Sequence, residues 1–200
     1  MDKLFYERQL ISQGYSAVCG VDEVGRGPLA GPVVCAAVIM PLDDIIDGVD
    51  DSKKLSAKSR KSLSEKILEK AVSYSICLIE PQIIDKINIL QATRLCMKNA
   101  VESLKMRPDY VITDGNMTLD IDCPQKSIIK GDGLSYSIGA ASIVAKVYRD
   151  ALMEEYARIY PDYGFEKNKG YGTALHIEGI KKCGLCPVHR RSFTKKWQNF

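Results

Sequence analysis

Four acids stand where short apolar stretches of the chain end, and they are the first sign of chemistry. Asp22 and Glu23 close AVCGVDEV (17–24), Asp114 closes YVIT, and Asp132 follows SIIKG. Carboxylates just beyond a strand stay near the sheet, so groups distant in sequence can meet at one edge. Gathering them without a cation is costly, because each negative charge makes the next harder to ionise. A hard divalent ion removes that cost. Mg²⁺ and Mn²⁺ favour oxygen ligands, and Mg²⁺ keeps several waters beside one or two carboxylates. Two such ions around a phosphate would activate a water and stabilise a leaving oxygen, so the pattern points to phosphoryl chemistry. His176 and His189 are the only histidines, which disfavours a histidine-rich zinc site. Adjacent residues of a regular strand face opposite ways, so Glu23 joins Asp22 only where the strand bends, bulges or ends.

The elements that must position these acids follow from hydrophobic periodicity. Residues 17–24 begin as a buried strand, GRGPLAGP is a turn region, and 33–40 (VVCAAVIM) read as a second strand. The link between them is too short for a crossover helix, so the pair is expected to be antiparallel. Ser56 can cap a helix with apolar positions at Leu63, Ile67, Leu68 and Ala71. A strand over 72–79 should end before Pro81. Asn88 then precedes an amphipathic helix whose stripe includes Cys96, Met97, Ala100 and Val101, and Pro108 bars its continuation. Short strands are expected at 110–113 and at Ile128 and Ile129. From about 137 to 160 the chain reads as helix, with Ala140, Ala141, Val144, Val147 and Ala151 on its buried side. The tail, 161–200, has helix signals around 173–182, and Thr173 is placed to cap that helix. The expected fold is α/β, a mixed sheet flanked by helices with a small helical C-terminal extension. Residues 1–160 would form the core and 161–200 the extension.

Composition narrows the setting. Two hundred residues with 46% in the hydrophobic class suit one main domain, and no apolar run approaches the length of a membrane span. The N-terminal stretch is charged throughout, unlike a signal peptide, so a cytoplasmic protein is expected. Seven cysteines, an odd and irregularly spaced set, argue against a disulfide framework. Net charge is +3, but acids outnumber bases eight to three in residues 1–50, and bases outnumber acids nine to five in 151–200. A polyanion held against clustered carboxylates, with metal ions between, would use that asymmetry.

The run from Asp22 to Pro32, DEVGRGPLAGP, strongly resembles ribonuclease HII, the type 2 ribonuclease H family. The resemblance covers nearly the whole chain. It takes in Asp51-Ser52-Lys53-Lys54-Leu55, Thr113-Asp114-Gly115, Lys130-Gly131-Asp132, SIGAASIVAKVYRD (137–150), KGYGT (169–173) and HRRSF (189–193). It implies a ribonuclease H-like mixed sheet. It also implies endonucleolytic hydrolysis of RNA in RNA–DNA hybrids, including a lone ribonucleotide in duplex DNA, with 5′-phosphate and 3′-hydroxyl products. The family's metal-binding acids carry over to Asp22, Glu23, Asp114 and Asp132, which would hold Mn²⁺ or Mg²⁺, two ions in the substrate complex. Its junction-reading motif carries over to Gly25, Arg26 and Gly27, and its stacking tyrosine to Tyr171.

Those implied roles make physical sense. Gly25 and Gly27 would let backbone approach a nucleotide closely, and they tolerate unusual dihedrals. Amides beside them could reach the 2′-hydroxyl that distinguishes RNA from DNA. Arg26 offers a guanidinium to phosphate or carboxylate. Tyr171, between two glycines, could pack on a sugar or base. Lys53 and Lys54 are candidate phosphate contacts; Lys146, Arg149, Arg190 and Arg191 are weaker ones. Cys183 and Cys186 form a CxxC near His189, but without a second pair a plain structural role is expected over zinc or redox chemistry. A monomer is expected, with no protein partner inferable. Three other readings use the same residues: a binding module without catalysis, a type 3 ribonuclease H, and a phosphatase for small substrates.

Overall fold

The computed structural model describes residues 2–50, 52 and 55–197. Five strands form one mixed sheet: β1 (Val18–Val24), β2 (Val33–Ile39), β3 (Ser73–Ile79), β4 (Tyr110–Asp114) and β5 (Gln125–Ile128), in the order β3-β2-β1-β4-β5. β1, β2 and β3 pair antiparallel, as the short 25–32 link requires, whereas β4 lies parallel to β1 and β5 parallel to β4.

Strand alternation divides the core between two helices. On one face Cys19, Val21, Cys35 and Ala37 pack with Cys96, Met97 and Ala100 of α3 (Pro81–Glu102). On the other face Val34, Ala36 and Val38 pack beneath Ala140, Ala141 and Val144 of α5 (Tyr136–Ile159), with Leu63 and Ile67 of α2 (Ala57–Lys70) beside them. β2 is buried along its whole length because both faces are covered. Each fully buried side chain of Met97 or Ile67 size contributes about 1.5–3 kcal/mol. The helices end where side chains can take over main-chain bonding. Ser56 Oγ accepts from Ser59 N–H at the start of α2, and Ser135 Oγ accepts from Ile138 N–H at the start of α5.

The structure departs from the sequence expectations in four places. An N-terminal helix, α1 (Phe5–Ser12), sends Glu7 into the interior, where Oε1 accepts from Ser135 Oγ and Ser137 N–H. α3 starts at Pro81 rather than after Asn88, because a proline at the first helical position is favourable. Asn88 is a kink within that helix, at φ 66°, and its Oδ1 accepts from Leu90 and Gln91 N–H. β5 lies over Gln125–Ile128, leaving Ile129 exposed. A one-turn helix, α4 (Gly131–Leu134), follows directly.

After α5 come a 3-10 turn at Pro161–Tyr163, α6 (Phe165–Asn168) and α7 (Ala174–Cys183). Phe165, Ile180 and Val188 close over Met153 of α5 and Ala30 of the 25–32 link, and Ala30 and His189 form an isolated β-bridge. Among the described residues, no helix is long and apolar enough to cross a membrane.

Candidate active site

The acids meet because β1 outruns its neighbour. β1 pairs with β4 only as far as Val21 opposite Thr113, but with β2 through Val24 opposite Val34. The next parallel step sets Asp22 beside Asp114, which closes β4. On the face shared by Gly20 and Asp22, α5 descends onto the sheet. A Cβ at Gly20 would lie 2.1 Å from the Ser137 carbonyl carbon, so only glycine permits this crossing. Further along α5, the Ser142 hydroxyl acts on Asp22, favouring its charged form against the burial.

Ligand oxygens of Asp22, Glu23 and Asp114 all lie within 4.8 Å of one another. Glu23 joins its neighbour at the strand end although the β2 ladder is unbroken. Its own N–H donates to Asp22 Oδ1 at 2.7 Å, and its Oε1 accepts from Arg26 at 3.2 Å. The two carboxylates meet within the last residues of β1, whose ladder to β2 runs on through Val24.

Asp132 is brought near but not into this set. Lys130, left-handed at φ 60°, turns the chain into α4, and Gly131 N–H donates to Asp114 Oδ1 at 2.6 Å. Asp132 itself is buried, its Oδ1 accepting from Gly133 N–H, and its charge acts on Asp114. The structure clusters three of the four predicted acids and sets the fourth beside one of them.

The electrostatics are those of a site awaiting positive charge. Burial, then the charges of Glu23 and Asp114, hold the Asp22 carboxyl well above the usual carboxylate range. Glu23 is raised by burial, with Arg26 opposing, and Asp114 by burial and then by Asp132, with main-chain amides opposing. Glu23 Oε2 is buried without a hydrogen-bond partner among the described residues. An orphaned carboxylate oxygen in a cluster of oxygen-only donors fits a hard divalent cation. A soft metal is less suited to it.

Beside the acids lies a platform of two loops. Gly25 is left-handed at φ +90°, and a Cβ there would lie 2.2 Å from Arg149 Nε. Gly27 has no positive φ; a Cβ there would sit in ordinary contact, 3.5 Å from Tyr171 Cε1. Glycine at 27 therefore keeps the space beside the Tyr171 ring open. Tyr171 is 48% exposed. Leu29 N–H donates to Gly170 O, tying the two loops together. Arg26 is half-exposed and its guanidinium pairs with Glu23, linking platform to acids. Lys53 and Lys54 lie outside the described residues. Their neighbour Ser52 is buried against Ser142, and Arg60 donates to the Ser52 and Leu55 carbonyls.

Two arginines expected as weak phosphate contacts prove to be interior. Arg149 donates to the carbonyls of Ala30, Pro32 and Lys169, and Arg190 to those of Gly25, Arg26 and Gly31. Both are fully buried; burial pushes Arg149 down to about 10, and burial with Arg149's charge pushes Arg190 to about 9. Neither is displaced far enough to lose its proton at neutral pH, so both are cationic braces for the 25–32 loop. A solvated helix-face charge was the sequence expectation for Arg149, and only the density of small residues around it in SIGAASIVAKVYRD hinted otherwise. Lys146 is paired with Asp150 at 2.7 Å, and Arg191 gives its main-chain N–H to Asp85. Among the described residues, the CxxC pair belongs to no group of three ligands close enough to share an ion. Cys183 is exposed, Cys186 Sγ lies 3.0 Å from His189 Nδ1, and the acidic trio is the only three-ligand cluster among the described residues.

A mixed sheet of this order, with carboxylates gathered where parallel β1 and β4 end and α5 crossing above them, defines a ribonuclease H-like protein with an acidic metal centre. The family model for ribonuclease HII matches residues 19–196. The chain is 57% identical to ribonuclease HII of Ligilactobacillus salivarius over 96% of its length and 75% of that protein's. It is 52% identical to that of Caldicellulosiruptor saccharolyticus, over 94% and 92% respectively. Among solved structures, the ribonuclease H2 of Pyrococcus horikoshii superposes with a TM-score of 0.78 at 27% identity, covering 92% of this chain and 98% of that one. Bst-RNase HIII in complex with Mn²⁺ shares the fold, with a TM-score of 0.78 at 21% identity, over 100% of this chain and 73% of the other. The chain belongs to the ribonuclease HII family.

Proposed function

We propose that this chain is a metal-dependent endoribonuclease that cuts the RNA strand of RNA–DNA hybrids, including at single ribonucleotides in duplex DNA. The observation that carries the reading is the convergence of Asp22, Glu23 and Asp114, together with a buried Glu23 oxygen that has no hydrogen-bond partner among the described residues. Asp22, Glu23 and Asp114 would hold Mn²⁺ or Mg²⁺, with Asp132 beside Asp114 contributing to a second ion in the substrate complex. Bound there, the ions supply an activated water and neutralise charge on the scissile phosphate and the departing 3′-oxygen.

The chain's own groups supply position and selectivity. Arg26 neutralises Glu23 in the free protein and can turn its guanidinium to a backbone phosphate once metal takes its place. Gly25 and Gly27 present main chain to a 2′-hydroxyl, and Tyr171 offers its open ring face to the adjacent nucleotide. Residues 161–200 complete this surface, and Lys53 and Lys54 contact phosphate. A monomer working in the cytoplasm is the simplest form, in keeping with seven free cysteines. The test is cleavage of a duplex carrying one ribonucleotide, with Mn²⁺, with Mg²⁺ and with chelator. Metal-dependent cutting beside the ribonucleotide, yielding 5′-phosphate and 3′-hydroxyl ends, is expected. Tight hybrid binding without cutting would favour a binding module, and cutting confined to longer RNA tracts a type 3 activity.

A further inference from the structure

The two histidines of the chain face each other inside the C-terminal segment, with Nε2 to Nε2 at 3.0 Å. Their surroundings fix which nitrogen carries each proton. His176 Nδ1 lies 2.9 Å from the Tyr171 carbonyl oxygen, which can only accept, so Nδ1 donates. A neutral His176 then accepts at Nε2, and His189 must donate from its own Nε2. That leaves His189 Nδ1 as an acceptor, which receives the Cys186 N–H at 3.0 Å and faces the Cys186 thiol, also at 3.0 Å. The result is one directed chain from Cys186 through both rings to the main chain of Tyr171.

We propose that His176 and His189 are positioning residues for catalysis, holding the Tyr171 loop through this chain only while both rings are neutral. The proposal rests on the reading of Tyr171 as a nucleotide contact. A second proton on His176 would set two N–H groups against each other across 3.0 Å. On His189 it would meet the Cys186 N–H, with the Cys186 carbonyl at 3.3 Å as its acceptor. The rings are enclosed by Tyr163 and Phe165, whose centroids lie 4.9 Å from His189 and 5.1 Å from His176. Titratable neighbours are the Tyr163 phenol and the Cys186 thiol, both raised by burial. Arg149 and Arg190, which reach the same loops, are committed to main-chain carbonyls. Burial, and then the other ring, push His189 down to about 4, and burial lowers His176, so both stay neutral at pH 7.

With only two histidines, imidazole ¹⁵N spectra of the intact protein read the chain directly. Expected are opposite tautomers, Nδ1–H on His176 and Nε2–H on His189, with both rings titrating below 6.5. Like tautomers, or titration near 6.5, would overturn the proposal while leaving the reading of Tyr171 intact. Two variants test the consequence. His176→Asn keeps a donor to the Tyr171 carbonyl but leaves the His189 Nε2–H without its acceptor, so its KM should fall between that of the parent and that of His176→Gln; His176→Gln loses the Tyr171 donor and should raise KM roughly three- to tenfold with kcat little changed. Placed on Tyr171→Ala, the Gln substitution should add nothing. An undiminished effect there, or equal behaviour of Asn and Gln, would refute positioning through Tyr171. Normal cleavage by Tyr171→Ala alone would remove the underlying reading, and the proposal with it, even with the tautomers as drawn.

Discussion

At the sheet edge, three carboxylates are crowded together and one buried oxygen has no partner among the described residues. In the adjoining loops two guanidiniums are buried more deeply still, yet each is satisfied by three carbonyls, and the two imidazoles are neutral and fully hydrogen-bonded. The contrast separates the roles. The edge is incomplete without an added cation, whereas the loops are complete as folded and act as a rigid platform. Substitution at the edge should therefore cost activity but not stability, and substitution of a brace in the platform should cost stability first.

Asp22→Asn gives the largest effect. Cleavage should fall on the order of 10²–10³-fold or more in a steady-state assay, while the metal-free protein should melt at a higher temperature than the parent, because a buried like-charge contact is removed. A large loss of metal-free stability would contradict the division of roles. Arg190→Met inverts the pattern. Three carbonyls, two of them buried, lose their donor, and chemical denaturation should show a loss of about 3 kcal/mol or more. Tyr171→Ala sits between: substrate binding should weaken by about 1–3 kcal/mol, measured on duplex containing one ribonucleotide, with the melting temperature nearly unchanged.

Acidification probes the platform through its imidazoles when metal saturates the edge. His189 is held at about 4 against 6.5 unfolded, so below pH 6.5 the unfolded chain binds more protons than the folded one. Stability is then fully present above 6.5 and is lost progressively as pH falls toward 4, as urea denaturation at successive pH values should show. Cys183→Ser marks the bottom of the scale: the thiol is exposed, so stability and activity should stay within about 0.5 kcal/mol.

Much of the edge was legible in the sequence because its signals are local. Apolar runs ending in acids placed Asp22, Glu23 and Asp114, and the 25–32 link dictated the antiparallel β1–β2 pair. Ser56 and Thr173 announced their helices by type and position. The platform was not legible, because its logic is long-range. Arg149 and Arg190 find their carbonyls more than a hundred residues away in the 25–32 loop, and a charge on a helix ordinarily reads as solvated. Asn88 read as a helix start because it does cap the second half of α3; the first half, opened by Pro81, gave no amphipathic stripe of its own. Glu7 was invisible for a similar reason: its partners Ser135 and Ser137 lie far along the chain, and a glutamate in a short charged helix suggests solvent. The distance between Asp132 and the trio is likewise a product of the α4 turn, which no local pattern announced.

The central claim is that the acid cluster exists to hold a hard divalent ion. Thermal unfolding of the parent and of Asp22→Asn across a Mn²⁺ titration tests it most directly. The parent should melt progressively higher as Mn²⁺ increases, as a ligand that binds only the folded state requires, and the variant should start higher and respond far less. Equal responses in the two proteins, or none in the parent, would contradict the account.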